Sequence, residues 1–320
     1  FKNTKTKKDK GVFRIFTDRV FSSKGFGTVV TGTVSSGTLQ VGDTIEIMPS
    51  GITAKARGLQ SHSAQVNSVS LGDRAAINLQ GIQRKDIQRG AQIMTPGYFQ
   101  ATSSLGVNVK TLHSLSNPIY QNQRIRIHLG TQEVMARIAL INNKSIDSNS
   151  ESAALLRLES PIVAAHKDKF IIRSYSPVMT IGGGEVLDVE MDGKWKDIKK
   201  KLESIYNLSD DAQLLQLVEN QSNSPMTYTE LQIKLGISKK KLDNWIISEK
   251  KLFCLEHNRK KWILTYKQWN ELTKKIQNFL KKFHMKYPLK GGVQKEEIRQ
   301  YILSNESFLD ATLQTMLANN

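Results

Sequence analysis

The chain has 320 residues but a single cysteine, Cys254, so no intrachain disulfide can form. This excludes a disulfide-stabilised secreted domain, and the composition fits a reducing cytoplasm. The residues that flank Cys254 are apolar, which predicts a buried structural thiol. The six histidines are scattered and no second cysteine stands at metal-ligand spacing, so the sequence predicts no metal site.

Long apolar runs are also absent. No segment approaches the ~18 apolar residues that a membrane-spanning helix requires, so we expect no membrane partner. Residues 1–10 are rich in lysine, but no apolar core follows them, which excludes a secretory signal and is typical of an interdomain linker. The sequence therefore predicts a cytoplasmic protein that starts with a basic linker.

Nucleotide-binding and catalytic motifs are missing as well. No G-x-x-x-x-G-K-[ST] phosphate loop occurs, and Asn143–Ile146 has isoleucine where the guanine-reading N-K-x-D motif needs aspartate. No spacing predicts a Ser, His and Asp triad. We therefore expect no catalytic residue and no cofactor in this chain, and no binding of GTP by this chain alone.

Positive charge, in contrast, is abundant. The 46 lysines and arginines exceed the 29 acidic residues by 17. Much of the excess is local, because residues 231–290 hold 16 basic and 4 acidic residues, a difference of 16 − 4 = 12. The alternative explanation, an AT-rich genome, would raise the lysine content regardless of any partner. The local excess favours nucleic acid as a partner.

Alternating polar and apolar segments fill the first 190 residues. Between Asp18 and Val34 glycines interrupt β-branched runs, which is typical of strands that bend around a small barrel. We predict one β-barrel over residues 11–98 and a second over 99–190. Within the second barrel, a hairpin is predicted around Gly130.

The apolar period changes after Asp188 from two to about 3.6 residues, which indicates helices. Helix starts are predicted at Ser209 or Asp210, at the capping box that begins at Thr227, and at Ser238. The chain is therefore expected to be mainly helical beyond the second barrel.

Helices followed by a two-stranded wing make up the winged-helix plan. The β-runs Leu252–Leu255 and Trp262–Thr265 supply the wing, so we predict a winged-helix module over 191–266. A long helix over Tyr266–Met285 opens a second, truncated module over 267–320. The predicted fold class is thus multidomain, with two all-β barrels followed by α+β winged-helix modules.

A family resemblance rests on the stretch from residue 13 to residue 34, which reads F-R-x-x-x-D-R-x-F-x-x-K-G-x-G-x-V-V-T-G-T-V. This order resembles the second domain of translational GTPases. The pair Asp18-Arg19, together with T-I-G-G-G-E-V-L-D at 180–188, resembles the bacterial selenocysteine-specific elongation factors. The resemblance covers essentially the whole chain. It implies that the barrels are domains II and III, with the GTPase domain and the last winged-helix modules lacking.

The resemblance also implies a function. Members of this family deliver selenocysteinyl-tRNA to the ribosome at UGA codons in a GTP-dependent step, while their carboxy-terminal arm holds an mRNA hairpin. The full-length protein is then expected to be a GTPase that needs GTP and Mg²⁺ and acts as a monomer. This fragment is expected to keep aminoacyl-tRNA recognition and part of the RNA-binding arm.

The residues that the resemblance assigns to the aminoacyl pocket are Asp18, Arg19 and Arg74. Arg74 lies in the sequence G-D-R-A-A-I-N, which matches the family context G-x-R-x-A-x-N. A selenol is more acidic than a thiol and is anionic at neutral pH, whereas a serine hydroxyl is uncharged. Fixed guanidinium groups can discriminate between these two states, and Asp18 would orient an arginine or limit the excess charge. Ordinary surface charges near a strand end are the alternative explanation.

Possible RNA-phosphate contacts fall on the predicted winged-helix module. They are Lys239, Lys240 and Lys241 at a helix start, and Arg259, Lys260 and Lys261 at the wing. A solvated basic face explains them equally well. The triple glycine Gly182–Gly184 could cradle an anion, but we expect it to let two backbones pass closely.

Two other functions remain open from the sequence. One is a general tRNA-delivery or initiation GTPase of the same superfamily, which the helical half and Asp18-Arg19 disfavour. The other is a DNA-binding regulator that carries a barrel domain. This regulator would dimerise and bind specific duplex DNA through residues 195–266.

Overall fold

A computed structural model describes residues 9–23, 27–189, 191–220 and 225–318. The predicted basic linker lies outside these residues except for Asp9 and Lys10. The chain divides into two compact units. The first extends to Tyr206 and includes Gln232–Leu242, and the second comprises Asn207–Leu231 and Asp243–Asn320.

The first unit begins with a β-barrel. Its strands are β1 Arg14–Ser23, β2 Gly27–Ser36, β3 Thr38–Gln40, β4 Thr44–Met48, β5 Ile52–Ser61, β6 Ala64–Val66, β7 Ser68–Ser70, β8 Arg74–Leu79 and β9 Gln92–Met94. Among the described residues, six of them close into a ring in the order β4-β9-β1-β2-β8-β5, with β5 pairing back to β4. The inward side chains, such as Ile15, Val30 and Ile77, are fully buried.

A second barrel follows in the same unit. Its strands are β10 Ala101–Thr111, β11 Ile119–Tyr120, β12 Arg124–Leu129, β13 Gln132–Leu140, β14 Ser145–Ile146, β15 Glu151–Val163, β16 Lys169–Ser174 and β17 Thr180–Asp188. In the part of the chain that is described, six of these form the closed ring β10-β15-β13-β12-β16-β17. The predicted hairpin is confirmed, because Leu129 pairs with Gln132 across Gly130.

The triple glycine lies in β17, between β10 and β16, and pairs with both strands. A Cβ on Gly184 would lie 1.9 Å from the carbonyl oxygen of Asn108, and one on Gly183 would lie 2.7 Å from that of Phe170. The close passage of backbones that the sequence predicts is confirmed.

Helix α1, Trp195–Ile205, packs on the second barrel. Its Leu202 lies against Gly106 of β10, where an added Cβ would approach a Leu202 methyl to 2.5 Å. Asp188, at the end of β17, is fully buried and forms ion pairs with Lys201 of α1 (3.4 Å) and with Lys234 (2.8 Å). These contacts hold α1 and the segment around Lys234 to the barrel.

The remaining helices are α2 Asp210–Glu219, α3 Tyr228–Leu235, α4 Lys239–Ser248, α5 Tyr266–Lys286, α6 Lys295–Ile302 and α7 Glu306–Ala318. The predicted capping box at the start of α3 is confirmed, because Thr227 and Glu230 exchange hydrogen bonds of 2.8 and 3.2 Å. Helix α4 begins after Ser238, as predicted.

The wing of the second unit is a small sheet in the order β18-β20-β19. Its strands are β18 Met226–Thr227, β19 Leu252–His257 and β20 Lys260–Thr265. Trp262 and Leu264 of β20 pack with Trp269 and Phe308 into an apolar core. Two barrels followed by a winged helix confirm the predicted fold class.

Cys254 is exposed on β19, so its predicted burial is wrong. Side chains alternate between the faces of a strand, and Cys254 shares its outward direction with Glu256 while Leu255 points into the core. Among the described residues, no helix is long and apolar enough to cross a membrane.

Candidate functional site

A β-bulge shapes the outer face of the first barrel. Thr17 pairs with Gly32 and Arg19 pairs with Thr31, so Asp18 is the extra residue between two successive pairs of β1 and β2. A bulge breaks the strict alternation of side chains and redirects those beside it, which is why bulges recur next to binding sites. Here Asp18 and Arg19 both lie on the exposed side of the sheet.

Asp18 is held by two partners on neighbouring strands. A guanidinium nitrogen of Arg74, Nη1, lies 2.7 Å from its Oδ2 atom, and the hydroxyl of Thr31 donates to its Oδ1 atom at 2.7 Å. The side chain of Arg74 is 53% exposed and that of Asp18 is 29% exposed. The ion pair is therefore open to solvent and available to a ligand.

Burial alone would raise the pKa of Asp18. The hydrogen bonds from Arg74 and Thr31 and the charges of Arg74 and Arg19 outweigh that effect, so the pKa is lowered. Asp18 is consequently a carboxylate at neutral pH and fixes the guanidinium of Arg74 in place.

The side chain of Arg19 makes no hydrogen bond or ion pair with any residue that the structure describes, yet its charge acts on Asp18. Two guanidinium groups thus face one carboxylate, which leaves one positive charge in excess. An anionic group of a ligand can occupy the position beside Arg19 without displacing the bond between Asp18 and Arg74. The arrangement therefore suits a small singly charged anion.

A cleft of about 660 Å³ adjoins this group on the same face of the barrel. Arg19, Thr31 and Ala76 form one row across β1, β2 and β8. The next row consists of Phe21, Val29 and Asn78 and continues to Gly58 of β5. Ala76 of the first row also lines the cleft, and Phe21 lies two residues along β1 from Arg19, which is about 7 Å, so the cleft adjoins Arg19.

The cleft is apolar on one side and polar on the other. Phe21 and Val29 contribute apolar surface, and Arg57 contributes a cation. Asn78 carries a buried Oδ1 atom that has no hydrogen-bond partner among the described residues. A buried carbonyl oxygen without a donor is costly, so a ligand that offers an N–H or O–H group would be stabilised there.

Sequence reasoning therefore found Asp18, Arg19 and Arg74 but missed Thr31, Phe21 and Asn78. The alternation of β2 and β8 could have placed Thr31 and Asn78 on the outer face, and Asn78 ends the G-x-R-x-A-x-N context. Nothing in the sequence indicated the bulge that brings Asp18 to Arg74.

The six residues predicted to contact RNA fall into two groups. Lys239, Lys240 and Lys241 are exposed on the first turn of α4, and they belong to the first unit. The other three, Arg259, Lys260 and Lys261, are exposed at the turn of the wing, in the second unit. Of this second group, Lys261 forms an ion pair of 3.1 Å with Glu256.

Matches to three family models cover much of the chain. Residues 27–94 match the model of elongation factor Tu domain 2, and residues 107–192 match that of the selenocysteine-specific elongation factor, beta-barrel domain. Residues 277–320 match the model of elongation factor SelB, winged helix.

Two relatives are similar over longer stretches. A selenocysteine-specific elongation factor of Desulfomicrobium baculatum is 29% identical over 293 residues, which are 90% of this chain and 46% of that protein. The protein of the same name from Haemophilus influenzae is 25% identical over 172 residues, or 53% of this chain and 27% of that protein.

The fold is also that of a solved structure. The crystal structure of bacterial selenocysteine-specific elongation factor EF-Sec matches 98% of this chain and 49% of its own, with a TM-score of 0.72 and 23% identity. The chain thus spans less than half the length of each of these relatives.

Proposed function

Because the chain belongs to the family of selenocysteine-specific elongation factors, we propose that it takes part in delivering selenocysteinyl-tRNA to the ribosome for insertion at UGA codons. The whole protein would be a cytoplasmic monomer that uses GTP and Mg²⁺ and holds an mRNA hairpin through winged-helix modules. The described part of this chain has no group of three His, Cys, Asp or Glu side chains that could hold a metal ion.

The observation that carries the proposal is the group formed by Asp18, Arg19 and Arg74 on the first barrel. Its excess of one positive charge attracts the selenolate of selenocysteine, which is ionised at neutral pH. A seryl group in the same place offers a neutral hydroxyl. The excess positive charge of the two arginines then has no counter-charge, so the seryl group binds less tightly. Asp18 keeps Arg74 oriented and limits the excess charge, so the group does not attract every anion equally.

The neighbouring cleft supports the same function. An aminoacyl group is esterified to the terminal nucleoside of tRNA, so a site for one requires room for the other within a few ångströms. The cleft adjoins Arg19 on the same face of the barrel. It offers Phe21 and Val29 to a base and the Oδ1 atom of Asn78 to an N–H or O–H donor. We assign the terminal nucleoside to this cleft.

The test compares selenocysteinyl-tRNA with seryl-tRNA of the same nucleotide sequence, bound to this chain joined to a GTPase domain of the family. We expect tighter binding of the selenocysteinyl form. Arg74→Ala leaves Arg19 to balance Asp18 and so removes the excess positive charge. Because a charge-assisted contact to the selenolate is worth about 1.5–3 kcal/mol, the preference should fall roughly 10- to 100-fold. Arg89→Ala, which removes an exposed arginine before β9, is the matched control and should leave the preference unchanged. Equal binding of the two aminoacyl forms by the unsubstituted protein would rule out the pocket.

Two further proposals, on RNA contacts and on domain limits, are consistent with this function. We propose that Lys239, Lys240, Lys241, Arg259, Lys260 and Lys261 make auxiliary contacts with RNA phosphates. We also propose the domain limits 11–98, 99–190, 191–266 and 267–320. The exposure of the six basic side chains supports the first of these proposals.

A further inference from the structure

Helix α5 of the second unit has two chemically distinct sides. One side is apolar, and its Ile276 is fully buried against the α6 and α7 side chains Ile298, Ile302 and Leu309. The exposed surface of α5 carries lysines along the helix. They are Lys267, Lys274, Lys275, Lys281, Lys282 and Lys286.

Four of these lysines line a shallow groove of about 490 Å³ with Asn278 and with Tyr301 of α6. We call it the basic groove. Lys281 and Lys282 follow Lys274 and Lys275 by seven residues. This spacing is about two helical turns, or about 10.5 Å along the helix axis. The helix therefore holds two pairs of lysines at a fixed backbone spacing.

The lysine charges of the basic groove have no acidic partner among the described residues. No acidic side chain of the described residues forms an ion pair with any of its four lysines, whereas Lys261 and Lys295 of the same unit each have an acidic partner. The ammonium group of Lys275 lies 5.3 Å from the centre of the Tyr301 ring, which holds it in place. The one carboxylate in the groove, Glu271, forms no ion pair with a described residue either.

We propose that the basic groove is a docking surface for double-helical RNA, which it contacts through the phosphate backbone. A rigid helix with regularly spaced lysines is complementary to a rigid, regularly charged polyanion. Single strands are bound chiefly through aromatic rings on which bases stack. The ring of Tyr301 already stacks on Phe279 at 4.6 Å and receives Lys275. The choice of RNA over DNA rests on the proposed function, whereas the groove itself selects a duplex.

The experiment uses the full chain and a labelled 20-base-pair RNA duplex of arbitrary sequence, with binding measured by fluorescence anisotropy at several salt concentrations. The variant Lys274→Gln/Lys275→Gln/Lys281→Gln/Lys282→Gln is expected to weaken binding at least tenfold near 0.1 M salt. The slope of log K against log[salt] should become shallower by about one for each phosphate that the protein no longer neutralises, or about three to four in total.

The matched control removes the same number of exposed lysines elsewhere, at Lys85, Lys144, Lys194 and Lys196. It should change the slope by less than one. A reduction in binding equal to that of the groove variant would show that only net charge matters and would overturn the proposal. Unchanged binding by the groove variant would overturn it as well.

A substitution with the opposite expected sign completes the test. Glu271→Gln removes the only carboxylate of the basic groove and should tighten binding of the RNA duplex about two- to fivefold, since an unfavourable charge near a phosphate costs up to roughly 1 kcal/mol in water. Weaker or unchanged binding would contradict the proposal.

Three further probes separate the alternatives: a single-stranded RNA of the same length, a DNA duplex, and anionic lipid vesicles. Groove-dependent binding that is strongest for the RNA duplex supports the proposal. Groove-dependent binding that is strongest for any of the other three overturns it. The selenocysteinyl preference that Arg74 is expected to provide is measured separately and stands or falls without the groove.

Discussion

In the first unit, the burial of a polar side chain decides whether it can contact a ligand or only stabilises the fold. Asp18 and Arg74 are partly exposed, and their ion pair is open to solvent. His166 is the opposite case, because it is only 5% exposed. Its Nδ1 atom lies 2.8 Å from the carbonyl oxygen of Leu187, which can only accept, so Nδ1 carries the proton and donates. Burial thus makes His166 a determinant of stability rather than of binding.

Burial lowers the pKa of His166 to about 4, although the hydrogen bond to Leu187 opposes the shift. Between this value and the unfolded value near 6.5, the unfolded chain binds the extra proton and the folded chain does not. The contribution of His166 to the free energy of unfolding is therefore fully present above pH 6.5 and is lost as the pH falls toward 4. Between pH 7.5 and pH 5 we expect a loss of about 2 kcal/mol in the free energy of unfolding, measured by urea denaturation.

The substitution His166→Gln identifies the source of this loss. Glutamine can still donate to Leu187 but does not titrate, so most of the pH dependence should disappear. His128 also has a pKa lowered by burial and should account for a smaller remainder. An undiminished slope in the His166→Gln variant would exclude His166 as the group responsible.

Among the individual elements, strand β17 shows how three consecutive glycines allow close packing of neighbouring strands. Its three glycines permit β10 and β16 to approach from both sides, and Gly184 is the most confined of them. The helices, in contrast, begin where capping residues satisfy free N–H groups. Thr265 and Gln268 exchange hydrogen bonds of 2.9 and 3.2 Å at the start of α5. Close packing governs the barrel strand, and local hydrogen bonding governs the helix.

Replacing Gly184 by alanine should destabilise the first unit by at least about 2 kcal/mol. The new Cβ would lie 1.9 Å from the carbonyl oxygen of Asn108, so strand β10 or β17 must shift. Gly58→Ala is the matched control, because the nearest atom to its new Cβ is 3.9 Å away. Its free energy of unfolding should stay within about 0.5 kcal/mol of the original. Similar effects of the two substitutions, compared by urea denaturation, would refute this account of β17.

Most elements, but not all, could be read from local patterns. The capping box at Thr227 and the hairpin at Gly130 were predictable because turn chemistry and caps depend on a few adjacent residues. Helix α1 was not predicted. Its buried face consists of Ile198, Leu202 and Ile205, and the partner of that face is the second barrel, which no local pattern specifies.

Across the first unit, the two barrels are joined by a buried polar cluster and a small apolar one. Arg14 of β1 is 3% exposed and lies 2.6 Å from Asp168 of the second barrel. Its other guanidinium nitrogens donate to Gln92 at 2.8 Å and to the carbonyl of Val163 at 3.1 Å. Met94 and Phe99 belong to the apolar cluster beside them. The first arginine of the F-R-x-x-x-D-R motif is therefore structural, whereas the second lies at the proposed site.

The substitution Asp168→Asn should lower the free energy of unfolding by about 3–5 kcal/mol, because it leaves the buried guanidinium of Arg14 without a counter-charge. Asp18→Asn removes the same charge from an exposed ion pair and should cost no more than about 1 kcal/mol. Urea denaturation of both variants at pH 7.5 checks the difference. Comparable losses in the two variants would show that burial does not separate these ion pairs.

The sequence by itself determined the two barrels, the winged helix and the location of the positive charge, because alternation, helical period, caps and composition are properties of neighbouring residues. Only the tertiary structure decided that Asp18 meets Arg74, that Arg14 is buried between barrels, and that Cys254 is exposed. Each of these depends on strand register, on a bulge, or on which face another element covers. Such relations join residues that are distant in the sequence, so they are fixed only when the barrels close and the core forms.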